Sequence, residues 1–296
     1  MKELVVISGK GGTGKTSITA AFAALAKNAV LADCDVDAAD LHLVLNPTVK
    51  QTTDFSGGKQ ATVITEKCIG CGKCQKLCKF DAITFDGPAN DLIAKTYRVD
   101  LISCEGCKVC AEFCPADAIE FKDQINGQWF ISDTRFGTMV HANLGIAEEN
   151  SGKLVSLIRR ETKQIAEEQK KDLVIVDGSP GIGCPVIASI TGADLVLIVT
   201  EPTLSGKHDL ERVAELAAGF NIPTMIAINK YDLNPDMAGQ IEQDALKRNI
   251  KVAGKIRYDK AITAAQVKKQ SIVEYIDAGV SEDIKSLWEN IVDVLN

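Results

Sequence analysis

The chain has no long apolar run, no excess of basic residues and few histidines. No segment approaches the roughly 18 uninterrupted apolar residues of a membrane span, and the N-terminus lacks a signal-peptide pattern. The net charge of −7 argues against binding to nucleic acid or anionic lipid, because like charges repel each other. We therefore expect a cytoplasmic protein that binds neither a membrane nor a nucleic acid.

The rest of the composition is that of a globular protein. The sequence has 296 residues, of which 46% are apolar and 25% are charged. This length suffices for one large or two ordinary domains. The histidines, His42, His141 and His208, show no mutual spacing suited to metal binding or acid–base catalysis. We expect them to be structural.

Cysteine is abundant, and eight of the ten cysteines lie between residues 68 and 114. In a cytoplasmic protein such crowding favours metal ligation over disulfides. The segment CIGCGKCQKLCKFDAITF at 68–85 is followed, 36 residues later, by CEGCKVCAEFCPADAIEF at 104–121. Cysteine, aspartate, alanine, isoleucine and phenylalanine recur in register, so the two segments form an internal repeat.

Each half of the repeat carries C-x2-C-x2-C-x3-C and resembles the bacterial ferredoxins that hold two [4Fe–4S] clusters. In that pattern the fourth cysteine of each half ligates the other cluster. The resemblance implies one cluster on Cys68, Cys71, Cys74 and Cys114, and a second on Cys104, Cys107, Cys110 and Cys78. Two zinc sites are the alternative, because C-x2-C pairs also bind zinc. The first half departs from the pattern with Lys79 where the second has Pro115.

The borders of this insert follow from composition. The polar, glycine-containing segment TDFSGGKQ precedes it, and apolar alternation resumes near Trp129. We predict an inserted α+β ferredoxin-type domain at 61–122. It divides a second domain into a first part at 1–60 and a second part at 123–296.

The segment SGKGGTGKTS, Ser8 to Ser17, follows an apolar run and fits the phosphate-binding loop pattern. Its backbone N–H groups and the following helix are expected to bind phosphates, Lys15 to reach the outer phosphates, and Thr16 to ligate Mg²⁺. The predicted nucleotide-binding residues are Gly9, Gly11, Gly12, Thr13, Gly14, Lys15, Thr16 and Ser17. A glycine-rich turn without a ligand is the alternative.

Outside the insert, apolar runs alternate with amphipathic patterns. The runs AVLAD, DLVIVD, ADLVLIVT, IPTMIAIN and IKVAGKI are typical of buried strands. Their alternation with helices predicts an α/β fold with a mostly parallel sheet flanked by helices. The final segment, from Ile284 to Leu295, has the pattern of an amphipathic helix, and its acidic polar face disfavours a membrane role.

With Lys10 included, KGGTGKT resembles the deviant phosphate loop of the MinD, ParA and nitrogenase-iron-protein class of ATPases. The resemblance covers nearly all of the chain outside the insert. It implies that Lys10 reaches the phosphates of the other subunit in a nucleotide-sandwiched homodimer. It also implies that Asp35 positions or activates the attacking water and that Asp177 holds Mg²⁺. A solvated loop lysine is the alternative for Lys10.

The resemblance places the base reader at Asn229, in INKYDLN. Together with Asp232 this segment also fits the guanine-reading pattern of GTPases, so ATP is favoured and GTP stays open. The segment around Arg257 departs from the family, which usually has a proline there. Cys34 is expected to be a buried apolar residue. Cys184 is either a core or loop thiol or a ligand of a third, dimer-bridging cluster.

Three functions are compatible with these motifs, and all three use ATP and Mg²⁺. The first is an ATPase whose nucleotide state is coupled to electron transfer through two [4Fe–4S] clusters to an acceptor protein. The second is a carrier or accessory ATPase for metallocofactor or iron–sulfur assembly. The third is a regulatory or positioning switch like MinD. The sequence ranks them in this order.

Overall fold

The computed structural model describes residues 1–145 and 151–296. Two compact units are present. The first contains Met1–Thr53, Gln128–Leu144 and Ser151–Asn296, and the second contains Asp54–Gly127 together with Gly145. The predicted insert at 61–122 lies inside the second unit. None of the helices in the described ranges is long and apolar enough to cross a membrane.

The strands and helices follow the alternation that the sequence predicts. The strands are β1 Lys2–Ser8, β2 Ala29–Asp33, β3 Thr48–Phe55, β4 Gly58–Val63, β5 Ile83–Gly87, β6 Thr96–Val99, β7 Ile119–Gln124, β8 Gly127–Thr134, β9 Gly137–Leu144, β10 Leu173–Pro180, β11 Leu195–Thr200, β12 Thr224–Asn229 and β13 Lys251–Ile256. The α-helices are α1 Lys15–Leu25, α2 Leu41–Leu45, α3 Lys73–Leu77, α4 Val109–Glu112, α5 Ser151–Glu168, α6 Cys184–Ile190, α7 Leu204–Gly219, α8 Pro235–Lys247, α9 Ala261–Val267, α10 Ile272–Tyr275 and α11 Val280–Leu295. All five apolar runs named above form strands.

Nine strands form one sheet in the order β13-β12-β11-β1-β10-β2-β9-β8-β3. From β13 to β9 the neighbouring strands are parallel. The central strands are buried on both faces, which explains why they read as continuous apolar runs instead of alternating ones. The predicted α/β fold with a mostly parallel sheet is confirmed. Parallel strands bring their carboxyl ends to one edge, where such sheets bind ligands.

The terminal helix α11 completes the core of the first unit. Ile284, Leu287 and Ile291 are fully buried, as the amphipathic pattern predicts. Trp288 packs on Phe22 of α1, with ring centroids 5.0 Å apart. The apolar face of α11 is therefore used in the core beside the helix that follows the phosphate loop.

The second unit reproduces its sequence repeat in the backbone. It contains two two-stranded sheets, β4-β7 and β5-β6, with the short helices α3 and α4. Three positions with positive φ recur 36 residues apart: Gly70 and Gly106, Gly72 and Lys108, and Asp81 and Asp117. Left-handed backbone is uncommon outside glycine, so its recurrence at Lys108 and both aspartates shows that the halves share one local fold.

Candidate functional site: a phosphate loop and two thiol-lined cavities

The phosphate loop connects the end of β1 to the start of α1. Gly14 precedes the helix with φ of 90°, in the left-handed region. A side chain at this position would also place its Cβ 2.4 Å from Asn229 Nδ2. Glycine is therefore required here both by the backbone conformation and by the close approach of Asn229. The loop lies at the carboxyl end of the sheet, where a cavity of about 1240 Å³, partly open to solvent, adjoins it.

At the base of this cavity Lys15 lies between carboxylates. Its Nζ is 2.9 Å from Asp177 Oδ1 and 3.4 Å from Asp35 Oδ2. Thr16 Oγ1 donates a hydrogen bond to Asp177 Oδ2 over 2.8 Å, and Thr19 Oγ1 donates to Oδ1 over 2.9 Å. Burial alone would lower the pKa of Lys15, but the charges of the carboxylates outweigh it and raise that pKa. The structure thus brings together a fixed cation, a hydroxyl and a buried carboxylate.

The two aspartates after β2 have different surroundings. Asp33 is fully buried, and its oxygens accept 3.1 Å hydrogen bonds from the N–H groups of Asp35 and Leu41. Asp35 lines the cavity, and Asp37 is exposed. Burial raises the pKa of both Asp33 and Asp35. Asp33 therefore shapes the turn, and Asp35 is the carboxylate of the two that lines the cavity.

Lys10 forms an ion pair within its own chain. Its Nζ is 2.8 Å from Glu201 Oε1. The other oxygen of Glu201 is 3.1 Å from Lys230 Nζ, which also donates to the Gly12 carbonyl over 3.2 Å. Burial would raise the pKa of Glu201, but the hydrogen bonds and charges of the two lysines lower it. Glu201 therefore stays ionised between two cations at the rim of the phosphate loop.

The predicted base readers occupy different places. Asn229 is buried at the end of β12, and its Nδ2 donates to the Thr13 carbonyl over 2.7 Å. Asp232 is exposed, and its Oδ1 accepts a 2.7 Å hydrogen bond from the Tyr258 N–H. Tyr258 and the segment after it line the cavity. Asn229 thus supports the phosphate loop, and Asp232 supports the turn after β13.

Two residues of this site were missed in the sequence, Glu201 and Lys230. Glu201 directly follows β11, and Lys230 directly follows β12. Both strands were recognised as buried parallel strands, so the residue after each could have been identified from its position at the carboxyl edge of the sheet. The signal was the topology, because neither residue belongs to a phosphate-loop motif.

The second unit contains two smaller cavities, each lined by four cysteines. One is lined by Cys68, Cys71, Cys74 and Cys114, and the other by Cys78, Cys104, Cys107 and Cys110. They enclose about 340 Å³ and 360 Å³, in part open to solvent. In each cavity three cysteines come from one half of the repeat and the fourth from the other half. These are the two sets that the ferredoxin resemblance implies.

The thiols of each cavity line its wall and do not meet at one point. In the described part of the chain, no group of three or more histidine, cysteine or carboxylate side chains is placed to hold a single metal ion. Burial raises the pKa of Cys74 to about 11, so this thiol stays protonated at neutral pH unless a cation binds it.

The remaining cysteines and histidines lie outside these cavities. Cys34 is fully buried, as expected, and Cys184 is exposed at the start of α6. His208 is exposed, and His141 is buried. The rings of His42 and His141 stack with centroids 6.2 Å apart, although their sequence spacing shows no relation.

Comparisons with known proteins agree with this fold. An uncharacterized protein of Methanocaldococcus jannaschii is 32% identical over 296 residues, which cover 99% of this chain and 97% of that protein. The cell division ATPase MinD of Pyrococcus furiosus has a TM-score of 0.58 at 17% identity, with 99% of each chain covered. The septum site-determining protein MinD of Pyrococcus horikoshii, solved with Mg-ADP, has a TM-score of 0.57 at 16% identity, with 98% of this chain and 95% of that chain covered.

Residues 4–272 match the CobQ/CobB/MinD/ParA nucleotide-binding domain. This match spans most of the chain, including the phosphate loop, Asp35, Asp177 and Asn229. The MinD-like structures share the parallel sheet and its flanking helices. The chain therefore belongs to the CobQ/CobB/MinD/ParA nucleotide-binding family.

Proposed function

We propose that the protein is an ATP-dependent switch that dimerises around bound nucleotide and is reset by hydrolysis. The observation that carries the proposal is the constellation of Lys15, Thr16 and Asp177 under a glycine-rich loop that precedes α1. This is the arrangement that binds the phosphates and the Mg²⁺ of a nucleotide. The fold shared with MinD favours such a switch over the electron-transfer function that the sequence ranks first.

Each residue of the constellation has a defined part in hydrolysis. Lys15 would exchange its contact with Asp177 for the outer phosphates, and Thr16 and Asp177 would hold Mg²⁺, which would neutralise phosphate charge. Asp35 orients a water whose oxygen attacks the γ-phosphorus as the bond to the β-phosphate oxygen breaks. Burial raises the pKa of Asp35 and so makes this carboxylate a stronger base towards the proton of that water.

Lys10 gives the dimer its dependence on nucleotide. It lies on the same loop as Lys15, yet its amino group points to Glu201 and not to the base of the cavity. A lysine at the loop rim is placed to reach the phosphates bound by a second copy of the chain. Since both copies contribute one Lys10, the contact is symmetric and requires nucleotide in the dimer interface.

The test compares Lys10→Ala with Lys15→Ala. We expect Lys10→Ala to bind a slowly hydrolysed ATP analogue as a monomer but to lose analogue-induced dimerisation, as measured by light scattering. Lys15→Ala should weaken binding itself, as measured by calorimetry. Lys27→Ala, at an exposed position outside the loop, is the control. Normal dimerisation of Lys10→Ala would contradict the proposal.

We favour ATP over GTP as the nucleotide. The carboxylate of Asp232, which would read guanine in the GTPase pattern, is exposed and accepts a hydrogen bond from the Tyr258 backbone. Tyr258 and the residues after it, rather than Asp232, line the cavity. Competition between the two nucleotides for the purified protein tests this preference, and tighter binding of GTP would reverse it.

A second proposal concerns the cysteine-rich unit, which we propose binds two [4Fe–4S] clusters. Its support is that each cavity has four cysteines, the donor set of such a cluster, and that every set combines both halves of the repeat. Such clusters would supply one-electron redox chemistry. Cys68, Cys71, Cys74 and Cys114 would hold one, and Cys78, Cys104, Cys107 and Cys110 the other.

What happens to a partner protein distinguishes three possible uses of these clusters. Electron transfer to an acceptor protein requires that reduction of the acceptor depends on ATP turnover. A carrier for cofactor assembly requires net transfer of iron to a client, and a switch requires neither. A slowly hydrolysed ATP analogue in an anaerobic pull-down, followed by assays of acceptor reduction and iron transfer, separates the three.

A further inference from the structure

Glu201 is not among the residues to which we assign phosphate binding or hydrolysis, yet it contacts the lysine on which the proposed dimer depends. We infer that Glu201 is a positioning residue that holds Lys10 against its own subunit and so sets the nucleotide-dependent dimer affinity. The inference rests on the proposed function, because it assumes that Lys10 acts on the phosphates bound by the partner copy.

The first argument is the place where Lys10 rests. Besides Glu201, its Nζ contacts Ser205 Oγ at 3.1 Å and Thr203 Oγ1 at 3.5 Å. Thr203 is the N-cap of α7, a helix of 16 residues, and its hydroxyl accepts a hydrogen bond from the Gly206 N–H. Helix N-termini carry a positive partial charge that repels a cation. Lys10 therefore occupies an electrostatically unfavourable position unless an anion compensates.

Glu201 is that anion. In the described part of the chain, it is the only carboxylate within 4.0 Å of Lys10 Nζ. The pair is partly buried, with side-chain exposures of 30% for Lys10 and 17% for Glu201, so solvent screens it less than a surface pair. Without the charge of Glu201, the resting position of Lys10 loses its main stabilising contact.

The bridge to Lys230 keeps Glu201 in place. Lys230 binds the second oxygen of Glu201 and the carbonyl of Gly12, so the carboxylate is anchored from the far side of the loop. Lys10 is then exchanged between two anions, its own Glu201 and the phosphates bound by a partner. A symmetric dimer breaks this ion pair twice, once in each copy, so a change at Glu201 affects the dimer constant twice.

A purely structural role for Glu201 and the restraint of Lys10 predict opposite effects on dimerisation. If Glu201 merely braced the phosphate loop through Lys10 and Lys230, removal of its charge would loosen the loop and weaken both nucleotide binding and dimerisation. If it restrains Lys10, the same change frees the lysine for the partner and strengthens dimerisation. The sign of the effect decides between the two.

The experiment uses the full chain with Glu201→Gln, which keeps the size and hydrogen-bonding capacity of the side chain. At a saturating concentration of a slowly hydrolysed ATP analogue, we expect the dimer dissociation constant to fall about 3- to 30-fold, from two ion pairs of modest strength. Glu215→Gln is the matched control, because it removes an exposed carboxylate from α7 that pairs with Arg248.

A second readout does not depend on dimerisation. In the nucleotide-free monomer, acylation of Lys10 relative to exposed Lys27, measured by mass spectrometry, should be faster in Glu201→Gln than in the parent chain. Unchanged labelling, or an unchanged or weaker dimer, overturns the role of Glu201. Normal dimerisation of Lys10→Ala overturns the proposed function itself, whatever Glu201→Gln does.

Discussion

The two units of the chain differ in how their folds are stabilised. The nucleotide-binding unit has a large apolar core around its parallel sheet, and the charges of its site compensate one another. The core cluster of the cysteine-rich unit has four buried members among the described residues, Ala61, Cys74, Ile83 and Val99. Small cores of this kind usually need a metal or disulfides. We infer that the first unit folds without a ligand, whereas the second depends on what binds its thiols.

The difference also separates the two kinds of site. Lys15, Thr16 and Asp177 already contact one another, so a nucleotide replaces existing contacts. The eight cavity cysteines line two separate spaces, with four cysteines in the wall of each. A substitution at the first site should change affinity and rate, and a substitution at the second should change folding as well.

The largest expected effect tests the cysteine-rich unit. Anaerobically prepared protein should contain about 8 iron atoms per chain, and Cys114→Ala should lose the cluster otherwise held by Cys68, Cys71 and Cys74. Cys78→Ala should lose the other cluster. Each loss is expected to destabilise this unit while ATP binding persists, as measured by iron analysis and calorimetry.

Exposed Cys184, which lines neither cavity, supplies the control: Cys184→Ala should keep the full iron content. A lower iron content in this variant would indicate the third, dimer-bridging cluster. About 2 zinc ions in place of iron, in protein expressed anaerobically with ample iron, would contradict the cluster assignment.

The next effect tests the nucleotide-binding unit alone. Lys15→Ala removes the cation between Asp177 and Asp35 and leaves the buried carboxylates to repel one another. We expect ATP affinity to fall by roughly 10- to 100-fold, the value of a hydrogen-bonded charge. Lys15→Arg should retain part of the ATP affinity. Iron content unchanged in both variants would show that the two units bind their ligands independently.

Acid should weaken the nucleotide-binding unit through His141. Burial and the charge of His42 lower the pKa of His141 from 6.5 to about 4. Between these pH values His141 binds a proton in the unfolded chain but not in the folded chain. The free energy of unfolding should therefore fall as the pH drops through this window, by about 3 kcal/mol, and level off below it.

Denaturant titrations of the parent chain and of His141→Gln measure this contribution as the difference in acid dependence. His208→Gln, at an exposed site, should behave as the parent chain. If His141→Gln kept the full acid dependence, the buried histidine would not be its source.

The smallest expected effect is coupling between the units. If bound ATP shifts the potential of either cluster, the oxidised and reduced proteins must bind ATP with affinities that differ by the same free energy. A shift of 59 mV in a one-electron couple equals about 1.4 kcal/mol, or a tenfold change in affinity. Anaerobic potentiometric titration of Asp35→Ala, with and without ATP, measures this shift in the cluster potentials. Equal potentials and equal affinities would leave docking of a partner as the link.

The sequence by itself determined the features that depend on local pattern. Continuous apolar runs specify buried parallel strands because both of their faces are covered, and all five runs became strands. The phosphate loop is equally local, since Gly14, Lys15 and Thr16 act through backbone conformation and the start of α1. The cysteine spacing within each half is local as well, and its resemblance to the bacterial ferredoxins implies the two sets of four thiols.

Only the tertiary structure decided which charged groups meet. Lys10 and Glu201 are far apart in sequence, and their ion pair exists because β1 and β11 are neighbours in the sheet and end at the same edge. The different surroundings of Asp33 and Asp35, two residues apart, follow from which one turns into the core. The stacking of His42 on His141 has the same origin. Long-range contacts are set by strand order and packing, and no local pattern of residues encodes them.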